Sequence, residues 1–553
     1  MTSTRKVVLI GIDAANRDLL REWACDMTLP NIGSFLSRAL VGETVNVEGT
    51  YEGSTWPSFY TGVNPGRHGF HSWAQLKPGT YEFYRCRPGD FVKRRPFWEA
   101  LSAGGRKVAI LDIPLSGVSQ GLNGIQIVEW GSHDAFNGFE TWPRQLAAGI
   151  TTRFGTHPVV ASCNAYGRSL EDFATLRDHL LEGVRKKCAL TLHYLESGDW
   201  DFFAQVFTEA HCAGHQCWHL HDLSHPNYDA DIVSIVGDVM RQVYMEIDRA
   251  VGRILASVDD DTLVILLSCH GMASCVGTDV ALRGILEKLG FVESRSPLEV
   301  TRPPLAGRLT GAPRQAWHAL PDPVRAALRP VLLPLFNQIN QAGKGPAARD
   351  PAQLEAKFDL ARSRCFPHMN GGLVSGIRIN VAGREPAGLV QPGHDFDEFC
   401  AQLSADLLEV TDRTTGRPLI TRVMRTSDLF QGGCMDHLPD LLAEWDQNLR
   451  VGSKELRDDD SCRVAATSPK IGTVEVENRW VRTGNHRPGG FFAAAGAGIQ
   501  CGTLARTVSI MDFAPTFLQW FGLAREDLDG VPIEEILAVG LTDALGLRRP
   551  GQW

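Results

Sequence analysis

The sequence lacks any apolar run long enough to cross a bilayer. A membrane-spanning helix needs about 20 consecutive apolar residues, and no stretch of this 553-residue chain approaches that length. The first apolar run, residues 7–12, is too short for the core of a signal peptide and is followed at once by Asp13. These absences predict a protein without a membrane partner.

A basic excess and a disulfide framework are also missing. The net charge is −9, which offers no positive footprint for nucleic acid or for anionic lipids, so neither is predicted as a partner. The 13 cysteines are odd in number and scattered along the chain, unlike the paired spacing of a small secreted protein. We therefore expect reduced thiols and a cytoplasmic protein.

What the sequence does contain is an alternation of short apolar runs with longer amphipathic segments, and no internal repeat. Because apolar strands alternate with helices, we predict an α/β fold whose mostly parallel central sheet is sandwiched by helices. The predicted strands are residues 6–12, 108–113, 200–207 and 262–268, and the predicted helices are residues 29–40, 97–103, 170–195 and 229–258.

Residues 291–365 interrupt this alternation. They are rich in Pro, Arg, Ala and Leu, and we interpret them as a helical cap inserted into the core. The cap divides the core into a first part, residues 1–290, and a second part, residues 366–553. A loosely packed surface excursion is the alternative for this composition.

Metal-binding side chains follow three of the predicted strands. Asp13 follows the first, His211 follows residues 200–207, and Cys269 and His270 follow residues 262–268. In a parallel α/β sheet the chemistry gathers at the carboxyl ends of the strands, so these groups are expected at one edge.

Each of these groups also has a plainer interpretation. His211 and His215 are spaced to share one helical face and one metal ion, although the same segment holds further histidines and a chance pair is easy to find. Cys269 and His270 are good zinc ligands, but a lone cysteine is more often a buried structural residue. Asp13 is either a ligand or the cap of the following helix.

A cluster of hydroxyl groups, Ser54-Thr55-Trp56-Pro57-Ser58, precedes a helix-like run. A hydroxyl at a helix N-terminus beside a cation is well placed to become a nucleophile. For Ser54 and Ser58 helix capping is the simpler interpretation.

The order of these motifs resembles the alkaline phosphatase superfamily, and within it the type I phosphodiesterase/nucleotide pyrophosphatase branch. The resemblance rests on GIDAANRDLL, STWPSFYTGVNPGRHG, SCHGM and NHRPGGFFAAAGAGI, and it extends over nearly the whole chain. It implies an alkaline phosphatase-like fold and a two-metal site that acts on phosphate esters.

The resemblance also implies the site residues. One metal would be held by Asp13, the nucleophile Thr55, Cys269 and His270, and the other by His211, His215 and His486. Two positions depart from the family pattern, which has Asp in place of both His211 and Cys269. Both replacements are still able to bind a metal, which favours a retuned site, and zinc suits these softer donors better than magnesium or calcium. Two zinc ions are expected, with manganese or iron as alternatives.

The mechanism implied by the resemblance is hydrolysis through a phosphorylated Thr55, with the two metals stabilising the attacking and leaving oxygens. The expected substrate is a small phosphorylated molecule or a related ester. Two alternatives remain open: a transferase or a sulfatase- or phosphonate-type biosynthetic enzyme on the same fold, and a non-catalytic protein that binds a metal or a ligand.

Overall fold

The structure is a computed structural model that describes residues 5–85, 92–131, 138–159, 162–295, 357–496, 498–524 and 527–538. The strands in these ranges are β1 (Val7–Ile12), β2 (Leu40–Val45), β3 (Ala74–Leu76), β4 (Phe83–Arg85), β5 (Val108–Leu111), β6 (Gly124–Val128), β7 (Glu140–Trp142), β8 (Phe202–Phe207), β9 (Leu263–Ser268), β10 (Gly271–Ser274), β11 (Cys365–His368), β12 (Val374–Ile379), β13 (Thr411–Asp412), β14 (Ile420–Arg425), β15 (Leu441–Trp445), β16 (Arg463–Ser468), β17 (Gly472–Glu477), β18 (Gly484–Arg487), β19 (Gly489–Ala495), β20 (Gly502–Thr503) and β21 (Val508–Ser509).

The α-helices in the same ranges are α1 (Arg17–Cys25), α2 (Pro30–Leu36), α3 (Thr55–Thr61), α4 (Pro65–His68), α5 (Phe97–Ala103), α6 (Leu146–Phe154), α7 (Leu170–Ser197), α8 (Glu209–His221), α9 (Ala230–Val236), α10 (Val239–Ala256), α11 (Leu282–Lys288), α12 (His394–Leu408), α13 (Thr426–Leu429), α14 (Phe513–Trp520) and α15 (Glu534–Leu537). Short 3₁₀ turns cover Cys163–Ala165, Thr278–Ala281, Met435–His437, Asp460–Cys462 and Ile510–Asp512.

The central sheet has the strand order β20-β2-β19-β9-β1-β8-β5-β6-β7, and β21 also pairs with β2. The run from β9 to β6 is parallel throughout, whereas β19 and β7 pair antiparallel with their neighbours. The predicted mostly parallel sheet is therefore confirmed.

Helices cover both faces of this sheet. Alternate residues of β1 enter two different hydrophobic clusters, so that Ile10 packs with α1, α2, α7, α8 and α10 and Leu9 packs with α3, α5 and α14. All six residues of β1 are buried. A strand buried on both faces has no polar side, which is why it appears in the sequence as a continuous apolar run.

Two of the predicted helices have different bounds in the structure. The helix expected at residues 29–40 ends at Leu36, because Leu40 begins β2 and pairs with β19 and β20. The helix expected at residues 229–258 is split into α9 and α10 at Gly237, whose φ of 74° is incompatible with a continuous helix. Both errors are cases in which tertiary pairing or a local turn overrides an amphipathic pattern.

A second, smaller body of β-structure follows the first core segment along the chain. It comprises the antiparallel sheet β11-β12-β15-β14 and the three-stranded sheet β13-β16-β17, packed with α11 and α12 around one hydrophobic cluster. Of the predicted cap, residues 296–356 lie outside the described residues. The cap boundaries stay a prediction; its described ends, including Phe291 and Phe358, pack into that same cluster.

No helix in the described ranges is both long enough and apolar enough to span a membrane.

Candidate active site and metal centre

Three adjacent parallel strands bring the predicted residues to one edge of the sheet. Strand β1 lies between β8 and β9, with Ile12 in register with Phe207 and Gly11 in register with Leu267. Asp13, His211 and Cys269 follow the carboxyl ends of these strands. Neighbouring strands lie about 4.8 Å apart, so the three segments open onto an edge about 10 Å wide.

His211, His215 and His486 form a compact cluster of buried imidazoles. One ligand nitrogen from each lies within 4.8 Å of the other two, and no other group of three or more metal-binding side chains of this kind occurs among the described residues. The ring centroids are 4.5 Å apart for His211 and His215, and 4.9 and 4.7 Å from each of these to His486. The i, i+4 spacing on α8 places the first two rings on one face.

His486 reaches this cluster because β18 packs directly on α8. The backbone N–H of Thr483 donates to His215 O at 2.9 Å, and a Cβ on Gly484 would lie 2.2 Å from Gly214 O. Only glycine permits that approach. His215 Nδ1 donates a hydrogen bond to Gly484 O at 2.7 Å, so Nδ1 carries the proton. Nε2 is therefore the atom that would coordinate a metal.

His270 stands beside this cluster. Its ring centroid is 4.5 Å from that of His486, and its Nδ1 has no hydrogen-bond partner among the described residues. Burial lowers the pKa of His270 to about 3, so the imidazole is neutral at physiological pH. A neutral imidazole is the form that binds a metal.

Asp13 and Cys269 follow the neighbouring strands β1 and β9. Trp56 Nε1 donates to Asp13 Oδ1 at 2.9 Å, while Asn16 caps α1, so the interpretation of Asp13 as the helix cap is wrong. Cys269 is fully buried, and burial together with the charge of Asp13 raises the pKa of its thiol well above the ordinary value. Asp13, Cys269 and His270 do not form a second close group of the three-histidine kind in the described structure.

Thr55 is the first residue of α3 and is fully buried. Its Oγ1 accepts a hydrogen bond from Asn46 Nδ2 at 2.6 Å and donates to Tyr51 O at 3.0 Å. The predicted capping role of Ser54 is not seen, because its side chain makes no cap bond and instead donates to Thr50 O at 2.6 Å.

Ser58 likewise does not cap a helix. It lies inside α3, and its Oγ is 2.9 Å from His68 Nε2.

The sequence pattern did not single out three polar groups that hold this edge together. Asn46 positions Thr55, Trp56 positions Asp13, and Ser268 Oγ accepts from Ala15 N at 2.9 Å and donates to His270 O at 2.8 Å. Ser268 ends β9, a predicted strand, so the strand-end rule that found Asp13 and His211 would have found it too. Asn46 follows β2, which is not among the predicted strands, so that rule could not have found it.

Comparison with known families identifies the chain. Residues 7–332, more than half of its length, match the family model for type I phosphodiesterase / nucleotide pyrophosphatase. The chain belongs to this family. The chain therefore has the alkaline phosphatase-like fold that the resemblance implied, and it is an enzyme of the phosphodiesterase/phosphohydrolase type.

Solved structures give remote matches. Murine ectonucleotide pyrophosphatase / phosphodiesterase 5 is similar over 95% of this phosphodiesterase and 97% of that chain, at 11% identity and a TM-score of 0.45. Phosphonoacetate hydrolase from Sinorhizobium meliloti 1021, in complex with phosphonoformate, is similar over 92% and 94%, at 12% identity and a TM-score of 0.45. A search of curated proteins gives no significant match.

The donors at this edge fit a zinc ion. Three imidazoles within 4.8 Å of one another match the three-histidine set of catalytic zinc sites, in which the fourth position stays open. They fit magnesium and calcium poorly, since those ions prefer oxygen ligands.

Proposed function

We propose that this phosphodiesterase hydrolyses phosphate esters of small molecules, with Thr55 as the nucleophile and a two-metal site at the carboxyl edge of the sheet. The buried cluster of His211, His215 and His486 is the observation that carries the proposal. Three buried imidazoles with one ligand nitrogen each within 4.8 Å of the other two match the three-histidine set of a catalytic zinc site, and binding of a metal explains why they meet at this edge.

Thr55 is set up to attack by its place in the fold. It opens α3, where the helix N-terminus favours negative charge on the attacking oxygen and on the phosphate. Asn46 fixes the position of Oγ1, which lowers the entropic cost of reaching the reactive geometry. Attack of Oγ1 on phosphorus would break the bond to the leaving group and form phosphothreonine, which water then hydrolyses.

His211, His215 and His486 would hold one zinc ion. Asp13, Cys269 and His270, with Thr55, would hold the second, which requires the Cys269 thiol to lose its proton on binding. Bound zinc supplies positive charge that stabilises phosphate oxygens and favours ionisation of a nearby hydroxyl.

Metal analysis and a substrate panel test the proposal together. Protein purified without added metal should contain zinc, and it should cleave bis-p-nitrophenyl phosphate or p-nitrophenyl phosphate, with loss of activity in chelator and recovery with zinc. Transfer to an added alcohol in place of water would favour the transferase alternative. Preferential cleavage of p-nitrophenyl sulfate or p-nitrophenyl phenylphosphonate would favour the sulfatase- or phosphonate-type alternative. Metal binding without turnover of any ester would leave only the binding function. The expected cytoplasmic location is checked by cell fractionation.

A further inference from the structure

A buried ionic cluster lies next to the metal site but has no place in the proposed chemistry. The Lys187 ammonium on α7 is fully buried and lies 3.4 Å from Glu209 Oε1, whose side chain is 1% exposed. His157 Nε2 lies 2.8 Å from the same oxygen. Lys187 Nζ also donates to Thr208 Oγ1 at 2.8 Å and to Val206 O at 3.3 Å.

Lys187 and His157 both contact one carboxylate oxygen of the buried Glu209 side chain, so this carboxylate is held from two sides. An ion pair taken out of water gains little net stability, since desolvation offsets much of the attraction. A gain in stability therefore explains the presence of this pair poorly. Its directional hydrogen bonds do fix the relative position of the two helices that carry Lys187 and Glu209.

Glu209 opens helix α8, the helix that carries His211 and His215. The residue before it, Thr208, donates from Oγ1 to Gly131 O at 2.7 Å, so the start of the helix is bonded to two neighbouring segments. Gly131 packs closely on the Lys187 side chain, since a Cβ at this glycine would lie 2.5 Å from Lys187 Cε.

Small movements of α8 would change the distances between a bound metal and its histidine ligands. A side-chain tip lies about 6 Å from the helix axis, so a rotation of about 10° moves an imidazole by about 1 Å. Metal–ligand distances tolerate only about 0.2 Å. The start of α8 must therefore be held in place if His211 and His215 are to meet His486 around one ion.

We propose that Lys187 and Glu209 are positioning residues for the metal centre, and that their buried ion pair sets the orientation of α8 so that His211 and His215 face His486. This inference rests on the metal site of the proposed function. It assigns Lys187 and Glu209 no contact with the substrate.

Cobalt substitution tests the proposal, because the visible spectrum of bound Co²⁺ reports the geometry of its ligands. Lys187→Met removes the ammonium and Glu209→Gln removes the carboxylate charge. Each should lower zinc affinity, measured by competition with a chromophoric chelator, by about 10- to 100-fold and should shift the cobalt spectrum. The matched control is Lys186→Met, since Lys186 is more exposed and pairs with Glu182 at the surface; it should leave both readouts unchanged.

The double variant Lys187→Met/Glu209→Gln separates positioning from folding. It removes both members of the Lys187–Glu209 pair, so it should be more stable to heat than Lys187→Met, which leaves Glu209 buried without its ammonium partner, while its zinc affinity stays low. Recovery of wild-type affinity and spectrum in the double variant would overturn the proposal, as would unchanged affinity and spectrum in both single variants. Failure of the wild-type protein to bind Co²⁺ or zinc would overturn the proposed function itself and this inference with it.

Discussion

At the scale of single residues, the edge of the sheet is held in a backbone conformation that its sequence would not adopt alone. Ala14, directly after Asp13, has a φ of 53°, in the left-handed region that residues with a Cβ rarely occupy. The next amide, Ala15 N, is held by Ser268 Oγ at 2.9 Å. Strain of this kind persists where surrounding bonds fix it, and it is common at functional sites.

The roles of the two neighbouring hydroxyls are separable by mutation. Thr55→Ala should lower kcat by about 1,000-fold or more, because the attacking oxygen is lost, while Thr55→Ser should keep part of the activity. Ser54→Ala should cost only about 1 kcal/mol of stability, the worth of its bond to Thr50 O. Steady-state kinetics and thermal melts check this. Full activity in Thr55→Ala together with an inactive Ser54→Ala would reverse the two roles.

Cys269 offers a test of whether the altered ligands are adaptive. If its sulfur binds a metal, Co²⁺-loaded protein should show a sulfur-to-cobalt charge-transfer band that disappears in Cys269→Ser. Cys275→Ser is the control, since Cys275 is a second buried thiol whose pKa is raised, chiefly by burial, to about 12. The same metal should protect Cys269 from alkylation until a chelator removes it. A band that survives in Cys269→Ser would show that this cysteine is structural.

At the scale of elements, the site joins one helix to one short strand. His211 and His215 share α8, but His486 comes from β18, which pairs antiparallel with β10 and places His486 opposite Met272. His486→Ala should therefore lower zinc affinity by more than about 100-fold, because only two of three protein ligands remain. His221→Ala, on the same helix but bonded to Asp238 at 2.7 Å, is the control. Zinc content equal to wild type in His486→Ala would exclude it as a ligand.

The sequence pattern predicts the positions of Asp13 and His211 but not that of His486. Asp13 and His211 follow long apolar strands, so a local pattern places them at the edge of the sheet. β18 has no such pattern, since it is four residues long and is held by the close packing of Gly484 on Gly214. His486 could therefore be assigned from the family resemblance alone, and the Lys187 and Glu209 pair, formed between distant segments, could not be found from spacing at all.

At the scale of the whole molecule, burial of histidine makes stability depend on pH. Burial is the main cause that lowers the pKa of His68 and His219 to about 3 and of His71 and His225 to about 4. In the unfolded chain these groups titrate near 6.5. The unfolded state therefore binds more protons than the native state between pH 6.5 and about 4, and native stability is lost as the pH falls through that window.

We expect each of these histidines to cost about 1 to 2 kcal/mol of unfolding free energy between pH 7 and pH 5. Urea unfolding of metal-free protein at pH 7, 6 and 5 measures the loss. His68→Gln should flatten this dependence by the share of one histidine, even if it destabilises the protein at pH 7. His394→Gln is the control, because the His394 side chain is 92% exposed. A slope in His68→Gln as steep as that of the wild type would mean that His68 already takes up its proton in the native state.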